Sequence, residues 1–280
     1  MEDICNKIEN NRYLTNTQGF SQVKIQNTMI TLLGESGTCH MGGKCSEIPD
    51  YVKKEPHISQ LDYVYQGMPH ENTLILLEVP SPTPASYIPS YNLHMFASTK
   101  GIDTIFADNR PIVLHIQNKN FYIDKIKKKI EHLQFEEWNN IYEQAIGFFD
   151  FIIAKSPESQ QLVTYVKTYK KKLNSLKKKI KKRLVGDNEL TAHPWNSQWG
   201  AYTIYSKFID DFIEIQVAIL DINIIYLIKG YLNKTHIVFV GGDKHRENLV
   251  EYFNNNFENS VKFNVEGTDN VVNIKGSCLL

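Results

Sequence analysis

Four apolar runs along this chain stop at a charged residue or at a pair of glycines, and no other feature narrows the possible folds as much. "TMITLLGE" (28–35) ends at Gly34-Glu35, and "NTLILLEVP" (72–80) gives out at Glu78. "GIDTIFADNRP" (101–111) closes on Asp108, Arg110 and Pro111. In "KTHIVFVGGDKHRENLVEYF" (234–253), Ile237–Val240 runs into Gly241-Gly242, with His245 three residues on. Runs of this length bounded by Gly and Pro predict strands buried on both faces of a largely parallel sheet. The expectation is therefore an α/β fold: a central, mostly parallel sheet flanked by helices, forming a single domain over 1–280.

Between the third and fourth runs the pattern turns helical. Ile123, Ile126, Ile130 and Leu133 recur at spacings of three and four, and Trp138, Ile141 and Ala145 continue them. "KSPESQ" (155–160) reads as a helix start with Ser156 as N-cap and Pro157 in the first turn. After it, Leu162, Val166, Tyr169, Leu173, Leu176, Ile180 and Leu184 form a heptad stripe. These segments predict a hairpin-like helical insertion from about residue 119 to 190. The helix is lysine-rich over 167–183, which offers a contact surface for a protein partner or simply a solvated face. A loop with Trp195, Trp199 and His193 follows, then a long helical run through "FIDDFIEIQVAILDINIIYLIKGYL".

Composition excludes several classes. The 42% hydrophobic and 22% charged residues are those of a globular chain. Lysine plus arginine (31) balances aspartate plus glutamate (31), which argues against a chain-wide nucleic-acid surface. The four cysteines, at 5, 39, 45 and 278, are too scattered for a disulfide framework and read as reduced thiols of a cytoplasmic protein. "MEDICNKIENNRYL" lacks the apolar core of a secretory signal, and Glu214 and Asp221 interrupt the longest apolar stretch, so no membrane span is expected. P-loop, GxSxG and GxGxxG motifs are absent. "GTCHMGGKC" (37–45) offers Cys39, His40 and Cys45 but no fourth ligand for a structural zinc.

The candidate chemistry lies at the strand ends, where open parallel sheets bind ligands. Glu35, Glu78, Asp108 with Arg110, and His245 all fall there, a set suited to acid–base work or to metal-assisted hydrolysis. Taken singly, each could be a charge reaching for water. Gly241-Gly242 would allow a sharp turn, and a helix N-terminus would keep His245 neutral, the form that a base or metal ligand requires. Asp221, alone in "VAILDINIIYLIK", either faces solvent with Glu214 and Lys229 or pairs with a group such as Arg110 or His245.

The motifs "LLGES", "LILLEVP", "FADNR", "LDINIIYLIKGY" and "HIVFVGGDKHRENL" resemble, in this order, those of the EreA/ChaN-like superfamily. That group holds erythromycin-esterase-like hydrolases, haem-binding ChaN-like proteins and TIKI/TraB metalloproteases. The resemblance covers roughly 28–40, 72–80, 101–111 and 217–253, and is closest to members from large DNA viruses, which implies the host-cell cytoplasm. It places Glu35, Glu78, Asp108, Arg110, Asp221 and His245 in a cleft at the strand ends. It also implies a divalent metal held by His245, Glu35 and His40. In one departure, Ser36-Gly37 stand where the first motif usually carries a histidine, and His40 comes later.

Three functions follow. The first is a hydrolase acting on a small-molecule or peptide substrate, with Glu35 or Glu78 activating water, His245 as base or ligand, and Arg110 as anchor. The second is an interaction protein that has lost catalysis and uses the lysine-rich helix or the tryptophan loop. The third is a binder of haem or another small ligand in the same cleft.

Overall fold

The computed structural model describes residues 12–35, 48–67, 72–79, 88–113, 135–186, 200–268 and 271–275. His40, the Cys39–Cys45 segment, the tryptophan loop and the helical pattern of 123–133 lie outside these residues. The chain divides into two compact units, Met1–Asp108 with Leu227–Leu280, and Asn109–Tyr226.

The first unit is α/β. Strands β1 (Tyr13–Thr15), β2 (Gly19–Ile25) and β3 (Thr28–Glu35) come first. Helix α1 (Asp50–Lys53), β4 (His57–Ser59) and α2 (Gln60–Gly67) follow. Then come β5 (Thr73–Leu77), α3 (Ile88–Thr99) and β6 (Asp103–Phe106). The chain returns to this unit for β7 (His236–Gly242), α8 (Asp243–Asn256), β8 (Val261–Glu266) and β9 (Val271–Asn273).

Six strands form the main sheet in the order β6-β5-β7-β3-β2-β8. β6, β5, β7 and β3 run parallel, while β2 is antiparallel to both β3 and β8. Every residue of β3 and β5 is buried, as expected of strands covered on both faces. One face carries Leu33, Ile75, Leu77, Val238 and Val240 into a core with Tyr63 and Val64 of α2 and Leu93 and Ala97 of α3. A small sheet, β4-β1-β9, adds Leu14 and Val272 to that core. On the other face α8 packs across β2, β3, β7 and β8, burying Leu249 and Phe253.

The second unit is helical over its described residues: α4 (Arg110–Val113), α5 (Phe135–Lys155), α6 (Gln160–Gly186) and most of α7 (Gly200–Gly230). α5 and α6 pack together through the turn 156–159. The N-cap expected at Ser156 moves to Ser159, whose carbonyl accepts the Val163 N–H at 2.9 Å. α5 extends to Lys155, and Pro157, which cannot prolong it, sits in the turn between the helices. Leu162, Val166, Leu173 and Leu176 of the heptad stripe are buried. Lys170 and Lys177 bond Asp150 and Glu143 of α5, and Lys172 and Lys179 reach Glu214 and Asp211 of α7. The Glu214 hydrogen bond raises the Lys172 pKa. Among the described residues no helix is long and apolar enough to cross a membrane.

His236 opens β7 between Met29 and Thr73, and its Nδ1 is buried without a hydrogen bond. Burial lowers its pKa below the ordinary 6.5. Below that value the unfolded chain takes up a proton that the folded chain resists, so stability falls as pH drops from 6.5 toward the folded pKa. His236→Gln removes this group. Urea unfolding across pH about 5 to 8 is expected to show a shallower acid-side loss in the variant than in the wild type.

Candidate active site

The strand order decides where polar groups collect. After β5 the chain passes through α3 to β6, the outer neighbour of β5; after β7 it passes through α8 to β8 on the opposite side. Where adjacent parallel strands send their connections in opposite directions, a crevice opens outside their carboxyl ends. In this strand order the switch point lies between β5, followed by Glu78, and β7, followed by the first turn of α8.

Glu78 continues the ladder by one residue, its N–H donating to the Val240 carbonyl at 3.0 Å. His245 lies in the first turn of α8, with Nε2 3.2 Å from Glu78 Oε1; the two side chains are 6% and 7% exposed. Glu78 Oε2 accepts the Gly242 N–H at 2.5 Å. A carboxylate only accepts, so the proton of this contact belongs to Nε2. The pair is thus a desolvated carboxylate–imidazole dyad pinned to the backbone at the end of β7.

The paired glycines serve a purpose other than a sharp turn. Gly242 has φ −60° and ψ 142°, an extended conformation open to any residue. What is needed is room: a Cβ on Gly241 would come within 2.6 Å of Glu78 Oε2 and 2.8 Å of Glu78 Cβ. At Gly34, beside Gly241 in register, a Cβ would come within 2.9 Å of Asp243 Cα. The bare backbone is where the Glu78 side chain and α8 lie against the sheet.

The other predicted residues are placed as follows. Glu35 ends β3, buried, in register with Gly242. It shares the Leu33 face, whereas Glu78, one residue past Leu77, shares the Gly241 face. Strand alternation therefore roots the two carboxylates on opposite faces. Gln60, with its amide oriented by its neighbours, donates to Glu35 Oε1 at 3.1 Å and to the Asn16 carbonyl at 2.9 Å. Asp108 is buried just past β6, after Ala107, whose N–H donates to the Leu77 carbonyl at 2.8 Å. Arg110 and Asp221 belong to the helical unit. Asp221 is buried, which removes the solvent-facing alternative.

A metal held by His245, Glu35 and His40 would need His40, which lies outside the described residues. Among the described residues no three His, Cys, Asp or Glu side chains are grouped to hold a metal ion. They do not by themselves supply a metal site.

The sequence reading missed two buried groups. Gln60 carried no signal. Arg246 did: Asp243 and Arg246 stand three apart in a first helical turn, the spacing of a helical ion pair.

Compared with known proteins, the chain matches no family model, and neither a curated protein nor a solved structure matches it significantly.

The two glycines separate under substitution. Gly241→Ala must displace the Phe239 ring and Glu78 and is expected to cost about 1–3 kcal/mol in denaturant unfolding, as overpacking does. A Cβ on Gly242 meets Glu78 Oε2 at 3.3 Å and His245 Cδ2 at 3.8 Å. Gly242→Ala, at a compatible φ and ψ, is expected to stay within about 1 kcal/mol of wild type.

Proposed function

We propose that the protein is a hydrolase of the EreA/ChaN-like kind whose reactive centre is the Glu78–His245 dyad. The observation that carries this is the buried contact between these two side chains at the carboxyl ends of adjacent parallel strands, where the connections diverge. Buried polar groups brought together in a cleft are candidates for acid–base work. Glu78 orients the His245 ring and stabilises the positive charge that the ring gains when it acts as base toward water. The hydroxide equivalent adds to an ester or amide carbonyl, and His245 returns the proton to the leaving group. The resemblance of the strand-end motifs supports the same reading. It extends to a helical insertion at about 119–190, a cytoplasmic protein and a small-molecule or peptide substrate.

The alternative, an interaction protein that has lost catalysis, draws on the lysine-rich helix. Lys170, Lys172, Lys177 and Lys179 are engaged by acids of α5 and α7, so the helix is first a member of its own bundle. Such a surface would fall to Lys167, Lys171 and Lys178, which are exposed at spacings of four and seven.

The test is a panel of chromogenic esters and amides, assayed with wild type, Glu78→Gln and His245→Asn. Each single substitution is expected to lower kcat/KM by about 10²–10⁴-fold. The double variant should be little worse than either, because the pair acts as a unit. Turnover that survives both substitutions would place the chemistry elsewhere.

A further inference from the structure

We infer that Arg246 is a positioning residue for His245: it clamps the first turn of α8 to the far strands of the sheet and so aims the imidazole at Glu78. The inference rests on the reading of Glu78–His245 as the reactive centre, but its geometry stands separately.

Arg246 is 1% exposed, the bulkiest fully buried side chain among the described residues. Its guanidinium is fixed on two sides. Nε and Nη2 donate to the two oxygens of Asp243 at 2.5 and 3.3 Å, a fork within the same helical turn. Nη1 donates to Ser21 Oγ at 2.9 Å and to Asn264 Oδ1 at 2.7 Å, on β2 and β8. Ser21 Oγ donates to the same Asn264 oxygen at 2.7 Å, so the acceptors are themselves tied together across the β2–β8 pair.

The backbone beneath is bare. Gly19 pairs with Gly34 and Gly34 with Gly241, a row crossing β2, β3 and β7. A Cβ at Gly19 or Gly34 would strike Arg246 or Asp243, and one at Gly241 would strike Glu78. The helix therefore rests on a glycine shelf, with Ser21 and Asn264 beyond one end and Glu78 at the other.

Successive residues on a helix point about 100° apart, so fixing the direction of Arg246 fixes that of its neighbour His245. A rotation of the first turn that freed the guanidinium would also swing the imidazole off the Glu78 oxygen. A planar five-donor fork suits this task and a lysine ammonium does not, because only the fork reaches Asp243, Ser21 and Asn264 together.

The test is NMR of the full chain, labelled with ¹⁵N at histidine, following the Nε2-bound proton of His245, assigned by its loss in His245→Asn. Arg246→Lys is expected to abolish this hydrogen-bonded signal in a folded protein. Asn264→Ala, a milder variant that removes one acceptor, is expected to broaden it. Leu249→Ala empties a buried position of the same helix without touching the clamp. It should lower Tm yet keep the signal, which separates aim from stability. The inference is overturned if both clamp variants keep the wild-type signal, or if Leu249→Ala loses it as readily. Hydrolysis is not the readout: if Glu78→Gln and His245→Asn leave turnover intact while Arg246→Lys still loses the signal, the hydrolase reading fails and the clamp stands.

Discussion

The close approach of one helix to one sheet, over backbone without side chains, is the constraint on which the rest of this unit depends. α8 meets the sheet where Gly19, Gly34 and Gly241 lie in register. Ordinary side chains there would hold the helix off and separate its first turn from the strand ends. Because the row is bare, Asp243 and Arg246 descend onto β2 and β3, and Glu78 lies across Gly241 to meet His245. A fully buried guanidinium is tolerable in that contact only because four hydrogen bonds receive it. Removing one partner of such a buried pair typically costs about 3–5 kcal/mol, since the other charge is then stranded. Steric permission and electrostatic demand thus act at the same place.

Much of this was readable from the order of residues. The run 28–35 is a strand end to end, and 72–80, 101–111 and 234–242 each contain one. Strands buried on both faces show as unbroken apolar runs, and a parallel sheet turns their ends into one shared edge. β1, β2, β4 and β9 were not foreseen. Three of them have only three residues, and β2, "GFSQVKI", mixes in polar residues, of which Ser21 belongs to the Arg246 network. Ser21 is buried there as an acceptor for a guanidinium 225 positions away, a pairing that no local pattern could announce.

The site divides in the same way. The strand-end positions of Glu35, Glu78 and Asp108 followed from where the apolar runs stop. Which carboxylate meets the histidine did not follow, because it depends on the pleat and the register. Leu77 and Val240 are partners, so Glu78 belongs to the Gly241 face; Glu35 is the partner of Gly242 and belongs to the other. A single residue of phase thus assigns Glu78 to α8 and Glu35 to Gln60 of α2. The glycines were noticed for the wrong physical reason. Their dihedral angles are ordinary, and their value lies in the volume they leave empty.

That phase difference also shapes the chemistry the edge can support. Two carboxylates meeting in one dry cleft would resist joint ionisation and share a proton between them. Rooted on opposite faces, Glu78 and Glu35 meet different groups: Glu78 the His245 imidazole, Glu35 the Gln60 amide. An imidazole can take on a charge with a proton, and an adjacent carboxylate stabilises that charge; an amide donates and accepts hydrogen bonds but does not titrate. The α8 face thus joins a carboxylate to an imidazole, while on the α2 face Gln60 bonds both Glu35 and the Asn16 carbonyl. The asymmetry begins in the sheet's alternation and is completed by the helix that the glycine row admits.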